Sequence, residues 1–222
     1  MRLCSYTVVH DTGFAPNPFG GYCTLAACTP NHQGIKLSQG DLVVGHATAK
    51  RAHRLTYVME LSEPPLDFDI YYNDRRFEGK KPRFDLTWQE ACGDNIYHQT
   101  SNGAWAQDEN LFHNTPKHLA QDTKHPRVFI SRHFYYFGAN APIMPKEFSD
   151  LIRDRHGCKC EYSEQLIVAF VKWLQTNFSP GVDGEPFDLA RTLLALNDRL
   201  IKIMPRPNNL ACVHQTNCSD GS

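Results

Sequence analysis

The segment Asp11-Thr12-Gly13-Phe14-Ala15-Pro16-Asn17-Pro18-Phe19-Gly20-Gly21 sets the first constraint on the fold. It follows an alternating, β-branched run over residues 2 to 9 that reads as a strand. The strand cannot continue through it, because Pro16 and Pro18 offer no N–H and hold φ fixed. The chain must turn away, and strand-like character returns only at Tyr22 to Cys28. Two readings of the turn stand. It is a rigid crossover between core strands, plugged by Phe14 and Phe19. Or its glycines bring backbone N–H groups close to a phosphate or base, with Asn17 supplying donor and acceptor to a base edge. Neither the GxxxxGK[ST] order nor GxGxxG spacing is present.

Beyond this turn, strands and loops fill the front two-thirds and helices the back third. Leu42-Val43-Val44-Gly45 and Leu55 to Leu61 read as an antiparallel hairpin whose tip, Lys50-Arg51-Ala52-His53-Arg54, is basic. Leu66 to Phe77 has helix-compatible spacing. Glu78 to Lys124 is polar, His-rich and mostly irregular, a length of loop that is more often functional than neutral. Arg127 to Ser131 and His133 to Gly138 read as aromatic-rich strands. Leu166, Ile167, Phe170, Val171 and Leu174 form one helical stripe. Phe187, Leu193, Leu194, Leu200 and Ile201 suggest a second, opened near Pro186 and ended by Pro205, with a polar tail beyond.

A chain of 222 residues with 41% hydrophobic and 21% charged residues can bury a full core, which excludes a disordered or collagen-like chain. A formal net charge of -1 excludes a global polyanion binder of the histone type, though not a local basic patch. No apolar run approaches a membrane span or a signal peptide, so a soluble, cytoplasmic protein is expected. The eight cysteines lack the short, secreted setting of a disulfide framework.

Three blocks in order, Asp11 to Cys28, Gly93-Asp94-Asn95-Ile96-Tyr97-His98, and Val128 to Gly138, resemble the nucleotide modification associated domain 2 family of prokaryotic and phage proteins. The resemblance runs from residue 1 to about Leu174 and implies a DNA base-hypermodification context rather than a particular reaction. The expected division is therefore a domain over 1–177 and a C-terminal helical extension and tail over 178–222. A second likeness is structural: Gly40 to Gly45, followed by a strand ending in Met59-Glu60, looks like the strand pair of PUA-like and EVE-like barrels that bind modified bases. The fold expected is α+β, a mixed or antiparallel barrel-like sheet packed by C-terminal helices.

Within these blocks Asp94 and His98 are candidates for an acid/base pair, since a carboxylate can orient an imidazole that titrates near neutrality. Gly-Asp-Asn is also ordinary turn chemistry. Asn17 and Asn95 can read a base edge, and Phe19, Tyr97 and Tyr136 can stack on one. Only one of Tyr135 and Tyr136 can face a pocket, because neighbours on a strand point to opposite sides. Lys50, Arg51 and Arg54 are candidates for a phosphate rim. Zinc at Cys158, Cys160, Cys212 and His214 is disfavoured, because C-x-C replaces C-x₂-C. His113, His118 and His125 read as surface loop residues. Recognition of a base or nucleotide in a DNA-modification pathway is the leading expectation. An enzyme working by Asp/His acid–base chemistry and a non-catalytic scaffold remain alternatives.

Overall fold

The computed structural model describes residues 1–153 and 157–203. Its centre is a six-stranded mixed sheet built from β1 (Leu3–Val8), β3 (Leu42–Ala47), β4 (Leu55–Glu60), β9 (His133–Tyr136), β10 (Cys158–Lys159) and β11 (Gly181–Val182). The strand order is β10-β1-β3-β4-β9-β11. The hairpin read from sequence is present, with Val44 opposite Val58. β1 lies parallel to β3, so the turn after it belongs to a long crossover. A second sheet has the order β2-β8-β5, from β2 (Cys23–Leu25), β5 (Leu66–Asp67) and β8 (Arg127–Ser131). The aromatic strands β8 and β9 are consecutive in the chain yet sit in different sheets. Ser131 turns the corner, its Oγ donating to the His133 carbonyl and accepting from the His133 N–H.

The main sheet is open: β10 and β11 are its two edges and do not pair with each other. The barrel-like expectation is thereby corrected. Closure needs the edge strands to meet, and here each edge strand is only two residues long.

Strand alternation divides the core. Leu42, Val44, Val58 and Tyr135 face one side and pack against Ile167, Phe170 and Leu174 of α5 (Glu164–Asn177), as its stripe predicts. Cys4, Tyr6, Val43, Tyr57, Met59 and Tyr136 face the other and pack against Leu25 and Phe129 of the small sheet. Behind that sheet a third cluster joins Phe14 to Phe68, Tyr71, Phe77, Tyr97 and Ile130. The 78–124 stretch resolves into short elements: α3 (Trp88–Ala91), the hairpin β6 (Tyr97–Gln99) and β7 (Trp105–Gln107), and α4 (Pro116–Asp122). Each is too short to show a period.

Two helices depart from the sequence expectation. The Leu66 to Phe77 run contains only α2 (Phe68–Asn73), capped by the Asp67 carboxylate, before a 3₁₀ turn over Arg75–Lys80. α6 (Leu189–Ile203) forms where its stripe predicts, but Phe187, Leu193, Leu194, Leu200 and Ile201 are all exposed. Its buried contact is polar instead, Thr192 Oγ1 donating to the Thr12 carbonyl. Among the described residues no helix is long and apolar enough to cross a membrane.

Residues 178–188, past the expected boundary at 177, are tied into the same body. β11 pairs parallel with β9, and Phe178 packs on the α5 side of the sheet. Phe187 N and Asp188 N then donate to Asp11, at its Oδ2 and its carbonyl.

Gly45 marks the tightest point of the sheet. A Cβ there would lie 2.1 Å from Tyr57 Cε1 and 2.8 Å from Val8 Cγ2. The Tyr57 ring cannot retreat without losing its buried hydroxyl pair with Tyr6 at 2.8 Å. Gly45→Ala is expected to lower stability by about 1–3 kcal/mol, read as a lower urea midpoint at unchanged m value. A variant as stable as its parent would show that the ring has room to move.

Candidate functional site

The glycine-rich turn is closed on itself. Asn17 and Thr24 exchange backbone hydrogen bonds of 2.9 Å in each direction, so residues 18 to 23 form an excursion from a fixed base. At its tip Gly20 and Gly21 have φ of +68° and +81°, a conformation that costs other residues a steric penalty.

A lysine holds the base of the turn from beneath. The Lys80 side chain is almost completely buried, and Nζ donates to Asn17 O (2.9 Å), Asn17 Oδ1 (2.7 Å) and Tyr22 O (2.8 Å). Burial pushes its ammonium down to about 8, against the opposing charge of Asp94. Asn17 is used up by this arrangement. Its Nδ2 donates to Cys92 O, and its Oδ1 also accepts from Phe19 N.

The Asp94 block forms the floor. Asp94 accepts from Tyr71 OH at 2.8 Å, and burial pushes its carboxyl above the ordinary range, opposed by the Lys80 charge. Asn95 donates from Nδ2 to the carbonyls of Tyr71 and Phe77, and its N–H donates to Lys80 O. Gly93 is required because a Cβ would lie 2.2 Å from Lys80 O. His98 does not join Asp94. It stacks on Tyr72 at 4.4 Å between ring centroids, with Nδ1 3.7 Å from Asp108 Oδ1.

Above the turn lies a cavity of about 830 Å³. Phe19 and Trp88 form one wall, edge to face at 5.3 Å. Arg132, at the corner between β8 and β9, stands beside it, its Nη2 donating to Tyr22 OH at 2.6 Å. The far wall is the segment 180–185, which includes Asp183 and Glu185. That wall is pinned by Ala139 N donating to Glu185 O and Asp183 N to Tyr136 O. Glu90 also lines the cavity, but its carboxylate closes a capping box with Thr87. Of the sequence candidates, this cavity takes in Phe19 and the glycines at the tip of the turn, Gly20 and Gly21. Trp88 belongs to the aromatic-rich middle of the chain, and Arg132, Asp183 and Glu185 come from outside the residues singled out. The glycine and proline pattern around 180–186 was the readable signal for the far wall.

The remaining candidates have structural partners. Tyr136 is fully buried and donates to Asp11 Oδ1 at 2.6 Å. Arg51 pairs with Asp188 at 2.5 Å and covers the Phe187 ring at 3.8 Å, and Arg54 donates to Ala141 O. Lys50 is exposed. Cys212 and His214 lie outside the described residues. Among the described residues no group of three or more His, Cys, Asp or Glu is arranged to hold a metal ion.

A second constellation was not legible. Asp122, at the end of α4, is buried and accepts from His32 Nε2 (2.6 Å), His113 Nδ1 (2.5 Å) and Tyr97 OH. His118 stacks on His113 at 4.5 Å. His113 and His118 are therefore partly buried network members rather than free loop residues. Burial alone would raise the Asp122 carboxyl, but the hydrogen bonds from His113 and His32 outweigh it and hold it well below the ordinary range.

Two stability predictions follow from these networks. Lys80→Met strips Tyr22 O of its donor, leaves Asn17 O with the Thr24 N–H alone and removes the charge that opposes buried Asp94, and is expected to cost about 2–4 kcal/mol in urea unfolding. An unchanged midpoint would show that the turn holds without its cation. Because the folded Asp122 has a depressed pKa, the unfolded chain takes up its proton first as pH falls. Its contribution is complete above about pH 4 and drains away below. Asp122→Asn should thus destabilise at neutral pH and flatten the acid limb of the stability profile. Parallel acid limbs for variant and parent would remove Asp122 from that role.

No curated protein and no solved structure matches this chain. A family model described as nucleotide modification associated domain 2 matches residues 1–193, so its match takes in the Asp11 turn, the Asp94 floor, Arg132 and the 180–185 wall together. The chain belongs to the nucleotide modification associated domain 2 family.

Proposed function

We propose that the cavity above the glycine-rich turn binds a nucleobase as its nucleoside or nucleotide, within a DNA base-modification pathway. The observation that carries this reading is the wall made by Phe19 and Trp88, two rings at the mouth of a cavity of about 830 Å³. A base stacked on such rings gains about 1–3 kcal/mol. Gly20 and Gly21 have no atom within 4 Å of a Cβ position, so their backbone is approachable from the cavity side. Family membership supplies the context of nucleotide modification.

Charge narrows the ligand. Arg132 is outnumbered by Glu90, Asp183 and Glu185 among the lining residues. A run of phosphates would meet net repulsion there, whereas one phosphate can reach Arg132 and ring amino groups can donate to the carboxylates. A nucleoside or monophosphate fits better than a triphosphate or a stretch of DNA backbone.

A second reading, acid–base chemistry on a base or nucleotide, is favoured by the Asp122–His113 contact. A carboxylate on Nδ1 fixes the imidazole tautomer and leaves Nε2 as the basic nitrogen. Nucleoside mass spectrometry of modified DNA before and after incubation separates the two, since a reader leaves every mass unchanged.

Isothermal titration against ordinary and modified nucleosides, with their mono- and triphosphates, tests the first reading. Phe19→Ala and Trp88→Ala are each expected to weaken binding by about 5- to 100-fold, the equivalent of one lost stacking contact. The triphosphate should bind more weakly than the nucleoside. Undiminished binding by both variants would move the ligand elsewhere.

A further inference from the structure

Three thiols converge at the β10 edge of the main sheet, away from both the cavity and the Asp122 network. β10 pairs antiparallel with β1, placing Ser5 opposite Lys159 and Tyr6 opposite Cys158. One step along the same register brings Cys160 opposite Cys4. Strand alternation turns Cys4, Cys158 and Cys160 to the same face, where both of the latter pack against the cluster that contains Cys4 and Tyr6. All three are free thiols; Cys4 is fully buried and the other two are half-buried.

The surroundings make the thiols unequal. The Cys158 and Cys160 thiols, together with burial, push Cys4 up. Cys160 is held below the ordinary thiol value by the hydrogen bond from Cys4 and by the charge of Arg2, against its partial burial. A partly exposed thiol with raised thiolate character is the attacking group in thiol–disulfide exchange.

Spacing selects the pair. Residues i and i+2 of one strand hold parallel side chains about 6.6 Å apart, too far for the Cβ separation of a disulfide. A diagonal cross-strand pair is about 7–8 Å apart, whereas a directly opposed pair stands at about 4.5–5.5 Å. The Cys158 thiol also reaches Cys4 along the diagonal, but the register makes Cys4 and Cys160 the directly opposed pair.

We infer that Cys4 and Cys160 form a reversible disulfide site, oxidised by a small-molecule disulfide, that staples β10 to β1. The Cys160 thiolate attacks one sulfur of the small disulfide, forming a mixed disulfide and releasing one small thiolate. Cys4, giving up its proton, then attacks the Cys160 sulfur and releases the second. Two protein thiols are oxidised, and one small disulfide is reduced to two thiols.

The test is full-length protein equilibrated with oxidised glutathione, alkylated without reduction and digested with trypsin. Cleavage after Lys159 puts Cys158 and Cys160 on separate peptides, so fragmentation of the linked species names the partner. The expected product joins Cys4 to Cys160, disappears on reduction, survives in Cys158→Ser and is absent from Cys160→Ser. Oxidation that leaves Cys4 fully alkylated, or that joins Cys4 only to Cys158, overturns the assignment. The wild-type map alone is decisive should a variant fail to fold.

Discussion

A buried ammonium group must be surrounded by oxygen, and that requirement governs how this molecule holds its glycine-rich turn. Lys80 reaches three oxygens on the far side of the second sheet, and two of them belong to Asn17. Removing a charge from water without such acceptors would cost several kcal/mol. The lysine and the turn are thus mutually dependent. Lys80 is itself placed by Asn95 N on its carbonyl and by the closeness that Gly93 allows. Segments around residues 17, 80 and 94 form one mechanical unit, with Phe19 projecting from its upper side.

The opposite wall has an equivalent anchor. Asp11 begins the same turn and accepts from Tyr136 OH and Phe187 N, while Asp188 accepts from Asp11 N and is clamped by Arg51. The cavity therefore lies between two pieces of chain that are both fastened to residues 11–17. Arg132 joins them because β8 and β9 part company at Ser131 and leave the intervening residue exposed at the corner. The site is made by the crossing of distant segments, not by one motif.

That construction explains what could be read in advance. The hairpin, the aromatic strands, α5 and the interruption at Pro16 and Pro18 follow from local periodicity and backbone chemistry, which a single sequence displays. The partners of a side chain do not. Asp94 and His98 are four residues apart, yet one points into the core toward Tyr71 and the other lies on Tyr72 at the surface of β6. His113 and Asp122 are nine apart, and α4 brings them together with His32. The stripe on α6 predicted a helix correctly and its burial incorrectly, because a period reports an amphipathic face without saying what meets it.

The distribution of charge carries the last step. Arg51 and Arg54, which from sequence suggest contacts with phosphate, are bound to Asp188 and Ala141 O, and Lys80 is bound to the Asn17 turn. The cavity keeps one arginine among three carboxylates. Under the proposed function, recognition there rests on ring stacking and on donor–acceptor matching, which distinguish one base from another, rather than on attraction to a backbone, which does not. The family blocks supply both the frame and part of the lining. Asn17, Asp94, Asn95, Tyr97 and Tyr136 all lie inside and belong to the frame. The cavity is lined by Phe19 and Arg132 from the same blocks and by Trp88, Asp183 and Glu185 from outside them. Under the same proposal, selectivity for one modified base over another can change at these lining positions without disturbing Lys80 or the turn it supports.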